Sequence, residues 1–364
     1  TSNNNGGGNV LFNGEPYNQY NAGIRVTQPL FAIGSLAAID SAKKDKQISE
    51  YDVEIASRNL GVNVIAAYFQ VALYMHNVDT LLLQERIVKE SLNTTQHRYH
   101  TGRSQLLDVL QVKTQIALLV SQLADAKNQV DIAAASLANI LGEPHAKAYA
   151  IKNNLRSPDL KTVDSDVNVN NFHLPELEQN KIKLLQIEDQ KQVSLGKDLP
   201  NLQLFGDYKY QSYKKEDLFD GVNRSWDAGI LLTIPIFSGF SSIYNHDALV
   251  SQQLQLEFAR KQLQNQTNLQ QVTSRKQLET AFQDLIAGKE ALDLAEQSSK
   301  EAIRQYKLAT IDFLQFLAIQ TSYVQAQQTL NQSKYKYIVA LGDYYSASGQ
   351  DMSHLIDLLN EANK

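Results

Sequence analysis

The sequence predicts a mainly helical protein with a small β portion, built as one elongated body from two similar halves. Three observations carry this. First, the chain holds one unusual unit twice. Each copy opens on a strand ending in a Pro-aliphatic-Phe triplet, as Thr27-Gln28-Pro29-Leu30-Phe31 and again as Thr233-Ile234-Pro235-Ile236-Phe237. Second, a long helical run follows each opening. No proline occurs from Leu36 to about Tyr99; at 1.5 Å per residue such a helix spans roughly 90–100 Å, against about 11–12 residues for an ordinary globular helix. Third, three short segments alternate apolar and polar residues with the period of a strand.

Taken in order, residues up to Gln19 read as a polar loop. In Tyr20 to Phe31, Ala22, Ile24 and Val26 share one face, with Asn21, Gly23, Arg25 and Thr27 on the other. Pro29 must sit near the strand's end, because it cannot donate into a ladder. The outgoing helix carries the stripe Leu60, Val64, Ala67, Val71, Tyr74, Val78, Leu81, Glu85, Val88, Leu92, Thr95, Tyr99, in which only Glu85 is out of character. Gly102 breaks the helix. The return helix reads Val109, Val112, Ile116, Leu119, Leu123, Ala126, Val130, Ala133, Leu137, Ile140, and Gly142 with Pro144 stops it. A seven-residue apolar repeat of this length implies left-handed supercoiling against other helices.

A polar stretch follows, then a shorter helix over Pro175 to Gly196. Leu202 to Tyr213 alternates, with Leu202, Leu204, Gly206, Tyr208 and Tyr210 on one face. Trp226, Ala228, Ile230, Leu232 and Ile234 share a face of the next strand. Each strand is long enough for a tilted membrane strand of about 9–11 residues. The second hairpin goes out from about Ser241 to Gln305. It returns on Phe316, Ile319, Tyr323, Ala326, Leu330, Ser333, Tyr337 and Ala340. The return stripes share a constant offset, Phe316 standing to Val109 as Tyr323 to Ile116. The first unit closes at Leu141-Gly142-Glu143. Reading Leu341-Gly342-Asp343 as the second close makes the second return helix one heptad shorter. The division is therefore 1–142, first repeat; 143–173, irregular linker; 174–350, second repeat; and 351–364, a C-terminal segment with one short helix.

Composition narrows the function. Hydrophobic residues make up 43 % of the chain, enough for a core. The net charge of −5 and the absence of a basic stripe argue against nucleic-acid binding. Cysteine is absent, which excludes a disulfide framework and thiolate metal sites. No unbroken apolar run approaches the 18 or so residues of a spanning helix, so the chain is either soluble or crosses a membrane as strands. There is no Gly-rich phosphate loop, His-Glu-x-x-His pattern or nucleophile elbow, so no catalytic residue, cofactor or metal is expected. His97 and His100 sit one turn apart without an apparent third ligand.

The order strand, long hairpin, strand pair, long hairpin resembles the TolC family of bacterial outer-membrane efflux and secretion channels. The residues carrying the resemblance are Gln28 to Phe31, Ile234 to Phe237 and Leu199-Pro200-Asn201-Leu202. Two helical turns complete it: Arg98-Tyr99-His100-Thr101-Gly102 leading to Leu107-Asp108-Val109-Leu110, and Gln305-Tyr306-Lys307-Leu308-Ala309 leading to Phe313-Leu314. The resemblance implies a homotrimer. Its pooled strands make one transmembrane β-barrel and its long coiled-coil hairpins make an α-barrel tunnel in the periplasm. It implies a passive gated conduit of a tripartite efflux or type I secretion system, in the outer membrane of a Gram-negative bacterium. The partners implied are a periplasmic adaptor, an inner-membrane transporter and outer-membrane lipid. Lipid would face Ile24, Val26, Leu202, Leu204, Tyr208, Trp226, Ile230 and Leu232. Adaptor docking would fall at Thr101, Gly102, Arg103, Ser104, Ala309, Thr310 and Ile311. Asp108 and Tyr306 match positions that tie the closed gate together, and Asp312 and Gln315 lie beside them. The family's usual acidic pair falls here at Gln315 and Ala318, and its arginine at Ile311. The family also has a helix and a strand ahead of the first strand found here, so the sequence reads as N-terminally shortened. A soluble coiled-coil scaffold is the alternative; it explains the helices but not the aromatic strands.

Overall fold

The computed structural model describes residues 18–143, 155 and 174–362. The loop expected over 1–19 and the linker expected over 143–173 fall outside these, except for residues 18, 19, 143 and 155. The element order is β1 (Tyr20–Phe31), α1 (Ile33–His100), α2 (Leu106–Ile140), α3 (Pro175–Gly196), β2 (Asn201–Ser212), a 3-10 turn at Gly221–Asn223, β3 (Arg224–Thr233), α4 (Ser241–Leu308), α5 (Phe313–Ala347) and α6 (Met352–Ala362).

The chain divides into two compact units, residues 1–47 with 182–257 and residues 48–181 with 258–364. Each sequence repeat supplies residues to both. The first unit contains an antiparallel sheet in the order β1-β2-β3. Its helices are tied by polar side chains: Gln186 of α3 donates to the Ser41 carbonyl and, at 2.5 Å, to the Asp45 carboxylate, and Lys44 pairs with Asp189.

The second unit is a bundle of the two hairpins. One part of its core joins Phe69, Val71, Leu73, Leu137, Leu278, Leu285, Tyr337, Ile338 and Leu341, with Leu355 and Leu359 of α6 closing over it. A second part lies toward the turns and joins Leu81, Val88, Val112, Leu119 and Leu123 to Ala302, Tyr306, Phe313 and Phe316. The seven-residue stripes are this interior, with their ends excepted: Leu60 and Tyr99 are exposed. Glu85 is half-buried and pairs with Lys89 at 2.8 Å, one turn on.

The two hairpins have equal arms, which corrects the expected shortening. Helices α1 and α4 are each 68 residues long, and α2 and α5 are each 35. Gly342 does not close the second hairpin. It is buried within α5, with Val62 Cγ1 3.9 Å from the place a side chain would begin. The left-handed residue that follows the helix is Gly349 (φ 64°), the counterpart of Gly142 (φ 74°). A glycine ends a helix only where the backbone turns left-handed, and Gly342 remains helical.

A second correction concerns apolar length. Helix α2 contains a window apolar enough, by length and composition, to cross a membrane. Its apolar residues serve two sides. Val112, Leu119 and Leu123 are buried in the bundle, while Leu110, Leu118, Val120 and Ile132 are exposed. Interspersed Gln, Ser and Thr hide this window from a search for unbroken runs.

Candidate functional sites at the strand face and the helical turns

The sheet separates two chemistries. Pairing aligns Ile24, Tyr208 and Trp226 in one row and Leu204 with Ile230 in another; Leu202 pairs with Leu232. Residues facing one another in register point to the same side. This side is apolar, and most of it is open: Trp226 is 76 % exposed and Ile24 72 %. The other side carries the row Arg25, Asp207, Asp227. Arg25 Nε donates to Asp207 Oδ1 at 2.5 Å, and Lys209 Nζ lies 3.9 Å from Asp227. All eight residues expected on the apolar face share it by register. An exposed sheet with a greasy face and a salt-bridged face is the pattern of strands between lipid and water.

The turn between α1 and α2 is set by Gly102 (φ 71°). Arg103 N donates to the Arg98 carbonyl at 2.8 Å and Gly102 N to that of Tyr99 at 3.0 Å, closing the end of α1. The start of α2 is capped by Asp108, whose Oδ2 accepts from Ser104 Oγ at 2.6 Å and from Gln105 N at 3.0 Å. Thr101, Gly102 and Arg103 are exposed, and so are Leu106, Leu107 and Leu110.

The turn between α4 and α5 repeats the geometry with Ala309 at φ 63°. Thr310 N and Thr310 Oγ1 both donate to the Gln305 carbonyl at 3.0 Å. Asp312 caps α5 by accepting from Gln315 N at 2.7 Å. The Asp312 and Gln315 side chains are exposed, and Ile311 packs on the apolar interior. Above the turn, Tyr306 is 4 % exposed and stacks on Phe316 with centroids 4.7 Å apart. Its hydroxyl is 2.5 Å from Thr95 Oγ1. The Arg98 guanidinium lies 4.9 Å over its ring and donates to its carbonyl oxygen. Burial pushes the Tyr306 hydroxyl pKa up, against the opposing pull of Thr95 and Arg98. One turn earlier, hydrogen bonds from Arg304 and Gln305 lower the Glu301 carboxyl to about 2.

Asp108 thus bonds within its own turn, while Tyr306 is held by Thr95 and Arg98 of α1. Sequence reading named the first pair and not the second. Thr95 did leave a signal, as a polar residue inside an apolar stripe; it is 1 % exposed. His97 and His100 join no group of three His, Asp or Glu residues suited to a metal among the described residues.

The chain is similar to known proteins in sequence and in fold. Residues 1–143 match the family described as outer membrane efflux protein. The outer membrane protein TolC of Vibrio cholerae is 22 % identical over 295 residues, covering 80 % of this chain and 63 % of that protein. The TolC of Escherichia coli is 24 % identical over 376 residues, covering 96 % of this chain and 74 % of that protein. The chain thus spans under two thirds of the Vibrio relative's length. The Campylobacter jejuni CmeC outer membrane channel has the same fold, with a TM-score of 0.69, 16 % identity, and 96 % of this chain and 82 % of that one covered.

Proposed function

We propose that this chain, a relative of the TolC-type outer membrane efflux proteins in sequence and in fold, is one protomer of a homotrimeric outer-membrane channel. It acts as a passive gated conduit from the periplasm to the exterior in a tripartite efflux or type I secretion system, and carries out no catalysis. The observation that carries this reading is the sheet. Its apolar side is open, its other side is charged, and its outer edges on β1 and β3 pair with no further strand among the described residues. A sheet in lipid must close on itself, and three strands are too few to do so. Several copies close it together.

The helical turns supply the rest. Gly102 and Ala309 hold both turns in the left-handed conformation and leave small side chains there. Thr101, Arg103, Ser104 and Thr310 offer hydrogen bonds, and Ile311 adds an apolar edge. This end is the docking surface for a periplasmic adaptor that links the channel to an inner-membrane transporter. The gate lies beside it, at Tyr306 with Thr95 and Arg98, and at Asp108, Asp312 and Gln315. A single contact of this kind is small and gains from repetition around the trimer.

Crosslinking in detergent should give a trimer, and the protein should need detergent for extraction. A monomer soluble without detergent would sink this reading and favour a soluble scaffold. Gly102→Glu and Ala309→Glu should each abolish export while trimers still form. Normal export by both variants would remove the turns from the docking surface.

A further inference from the structure

The three strands hold five charged residues, and four of them lie close together on one side of the sheet. Arg25, Asp207 and Asp227 form one cross-strand row, and Lys209 stands in the adjacent row between Gly23 and Ser225. Neighbouring rows on one side are two residues apart, so the four charges occupy a depth of roughly 7 Å along the strands. The rows beyond them carry no charge. Asn21 faces Gln211 toward one end, and Thr27, Phe205 and Gly229 share the row toward the other. The fifth charged residue, Arg224, begins β3 opposite Tyr210 on the apolar side.

Two cations stand against two carboxylates, in pairs of different kinds. The Asp207 side chain is 8 % exposed and accepts a hydrogen bond from Arg25. A carboxylate hidden to that degree needs its partner, so this pair belongs to the fold. Lys209 and Asp227 are 49 % and 51 % exposed and lie 3.9 Å apart. An exposed pair at that distance contributes little stability, so stability does not account for it. What the second pair does is cancel. Without Asp227 the two rows would be net positive, and without Lys209 net negative. Phe205, the one aromatic residue on this side, does not stand across the charges. Its ring reaches over Gly229 of the next strand, and its atoms lie 3.2 Å from where a side chain there would begin. Only glycine leaves that room, so the ring is laid along the sheet and the charges stay open to water.

We propose that Arg25, Asp207, Lys209 and Asp227, repeated by each copy, form a charge-balanced belt in the lumen of the barrel, which lets solutes of either sign pass. A ring of side chains of one sign selects ions in a pore, and lumen residues tune selectivity in membrane barrels. Opposite charges held within one step along the strands cancel at distances well beyond their separation. The lumen is thereby kept polar and hydrated without a preference for anions or cations. The belt presupposes the channel reading, in which this side of the sheet faces water, and adds what that water-filled lumen admits.

The chain contains no cysteine, so a single introduced thiol reports its own surroundings. Ser225→Cys places a thiol in the Lys209 row, and Ala228→Cys places one on the apolar side. The trimer in phosphatidylcholine vesicles is treated with a cationic and with an anionic methanethiosulfonate reagent. Each rate is divided by that reagent's rate with a free thiol in solution. At Ser225→Cys the two normalised rates should be alike. Adding Asp227→Asn should raise the anionic rate and lower the cationic one, adding Lys209→Gln should do the reverse, and the two together should restore the balance. These shifts should shrink from about 0.1 M to about 1 M salt, as the screening length falls from about 10 Å to about 3 Å. A strong preference of the parent for one reagent would overturn the belt and leave the channel standing. So would rates indifferent to both substitutions, with Ser225→Cys reactive and Ala228→Cys protected. Reaction at Ala228→Cys as fast as at Ser225→Cys would mean that lipid does not separate the two sides, and both readings would fail.

Discussion

The two helical turns share a backbone course but solve their packing differently. Gly102 and Ala309 hold matching left-handed positions, and a carboxylate caps the helix that follows each. Past the second turn the chain buries Phe313 and Phe316 under Tyr306. Past the first it leaves Leu106, Leu107 and Leu110 each more than half exposed. Both turns bury part of their first helical turns, Val109 and Val112 in one and Phe313 and Phe316 in the other, but the second adds an aromatic cluster where the first leaves Leu106 open. The second turn is fastened to α1 through Thr95 and Arg98. The first leaves its leucines exposed.

This asymmetry is broken most directly at Tyr306. Tyr306→Ala deletes a buried, stacked ring, and losses of this kind cost about 3–5 kcal/mol. Hydrogen exchange over 299–316 should rise sharply, and exchange near Thr95 and Arg98 should follow. Leu107→Ala, at an exposed site, should change local stability by about 0.5 kcal/mol or less. Equal effects at the two sites would mean that the second turn is no better packed than the first.

Alkaline pH offers the same test without mutation. Burial first, and the nearby Asp108 charge to a lesser degree, raise the Tyr306 pKa above its ordinary value of 10.0. A raised pKa means that the folded turn holds the proton more tightly than the unfolded chain does. The stabilisation is complete below pH 10 and is lost as pH climbs through the raised value. The second turn should therefore loosen in that window. The first turn, which has no buried tyrosine, should loosen later. Hydrogen exchange, followed alongside tyrosinate absorbance, reads both. Tyr306→Phe should remove the dependence.

Much of this was legible in the sequence, and the exceptions have physical causes. The limits of β1 and α3 follow from alternation and from flanking prolines and glycines, which act locally. The constant offset between the return helices follows from periodicity. The close of α5 did not. Gly342 with Asp343 looks like Gly142 with Glu143, but the sign of φ decides which glycine stops a helix, and residue identity does not set it. The pairing of β1 slips between Pro29 and Phe31, which sets Phe31 beside Leu202 on the apolar face. That placing was hidden for a related reason, because a one-residue bulge reverses alternation without changing composition. The contacts of Thr95 and Arg98 with Tyr306 were missed because that partner lies on α4, more than 200 positions away. The strand-face residues were readable because each depends only on its neighbours two positions off.

The left-handed positions sharpen the comparison by opposite signs. Gly102→Ala should destabilise the first turn by about 1–2 kcal/mol, the usual cost of a side chain in that conformation. Nothing lies within 4 Å of where the new methyl group would sit, so backbone strain alone is tested. Ala309→Gly should relieve the strain at the second turn. Its gain is held below about 1 kcal/mol by the extra freedom of glycine in the unfolded chain. Protease nicking at each turn, compared between variant and parent, reads both signs. If both variants destabilise, the lost Ala309 methyl group and the freedom of glycine in the unfolded chain outweigh the relief of strain at the second turn.

The smallest expected effects separate capping from gating at Asp108 and Asp312. Each carboxylate satisfies a backbone N–H at the start of a helix, and removing such a cap costs about 1 kcal/mol. Asp108→Ala and Asp312→Ala should therefore loosen their helices equally. Asn keeps an acceptor oxygen at either position and should restore most of the loss. Within the proposed gate Asp108 has a second contact, since its charge helps to raise the Tyr306 pKa. Asp108→Asn should then keep the cap yet change closed-state conductance in planar bilayers, and by more than Asp312→Asn does. An unchanged conductance for Asp108→Asn would reduce Asp108 to a cap. The closed state would then rest on the neutral and cationic contacts of Tyr306 with Thr95 and Arg98, and Arg98→Ala should open the channel where Asp108→Asn does not.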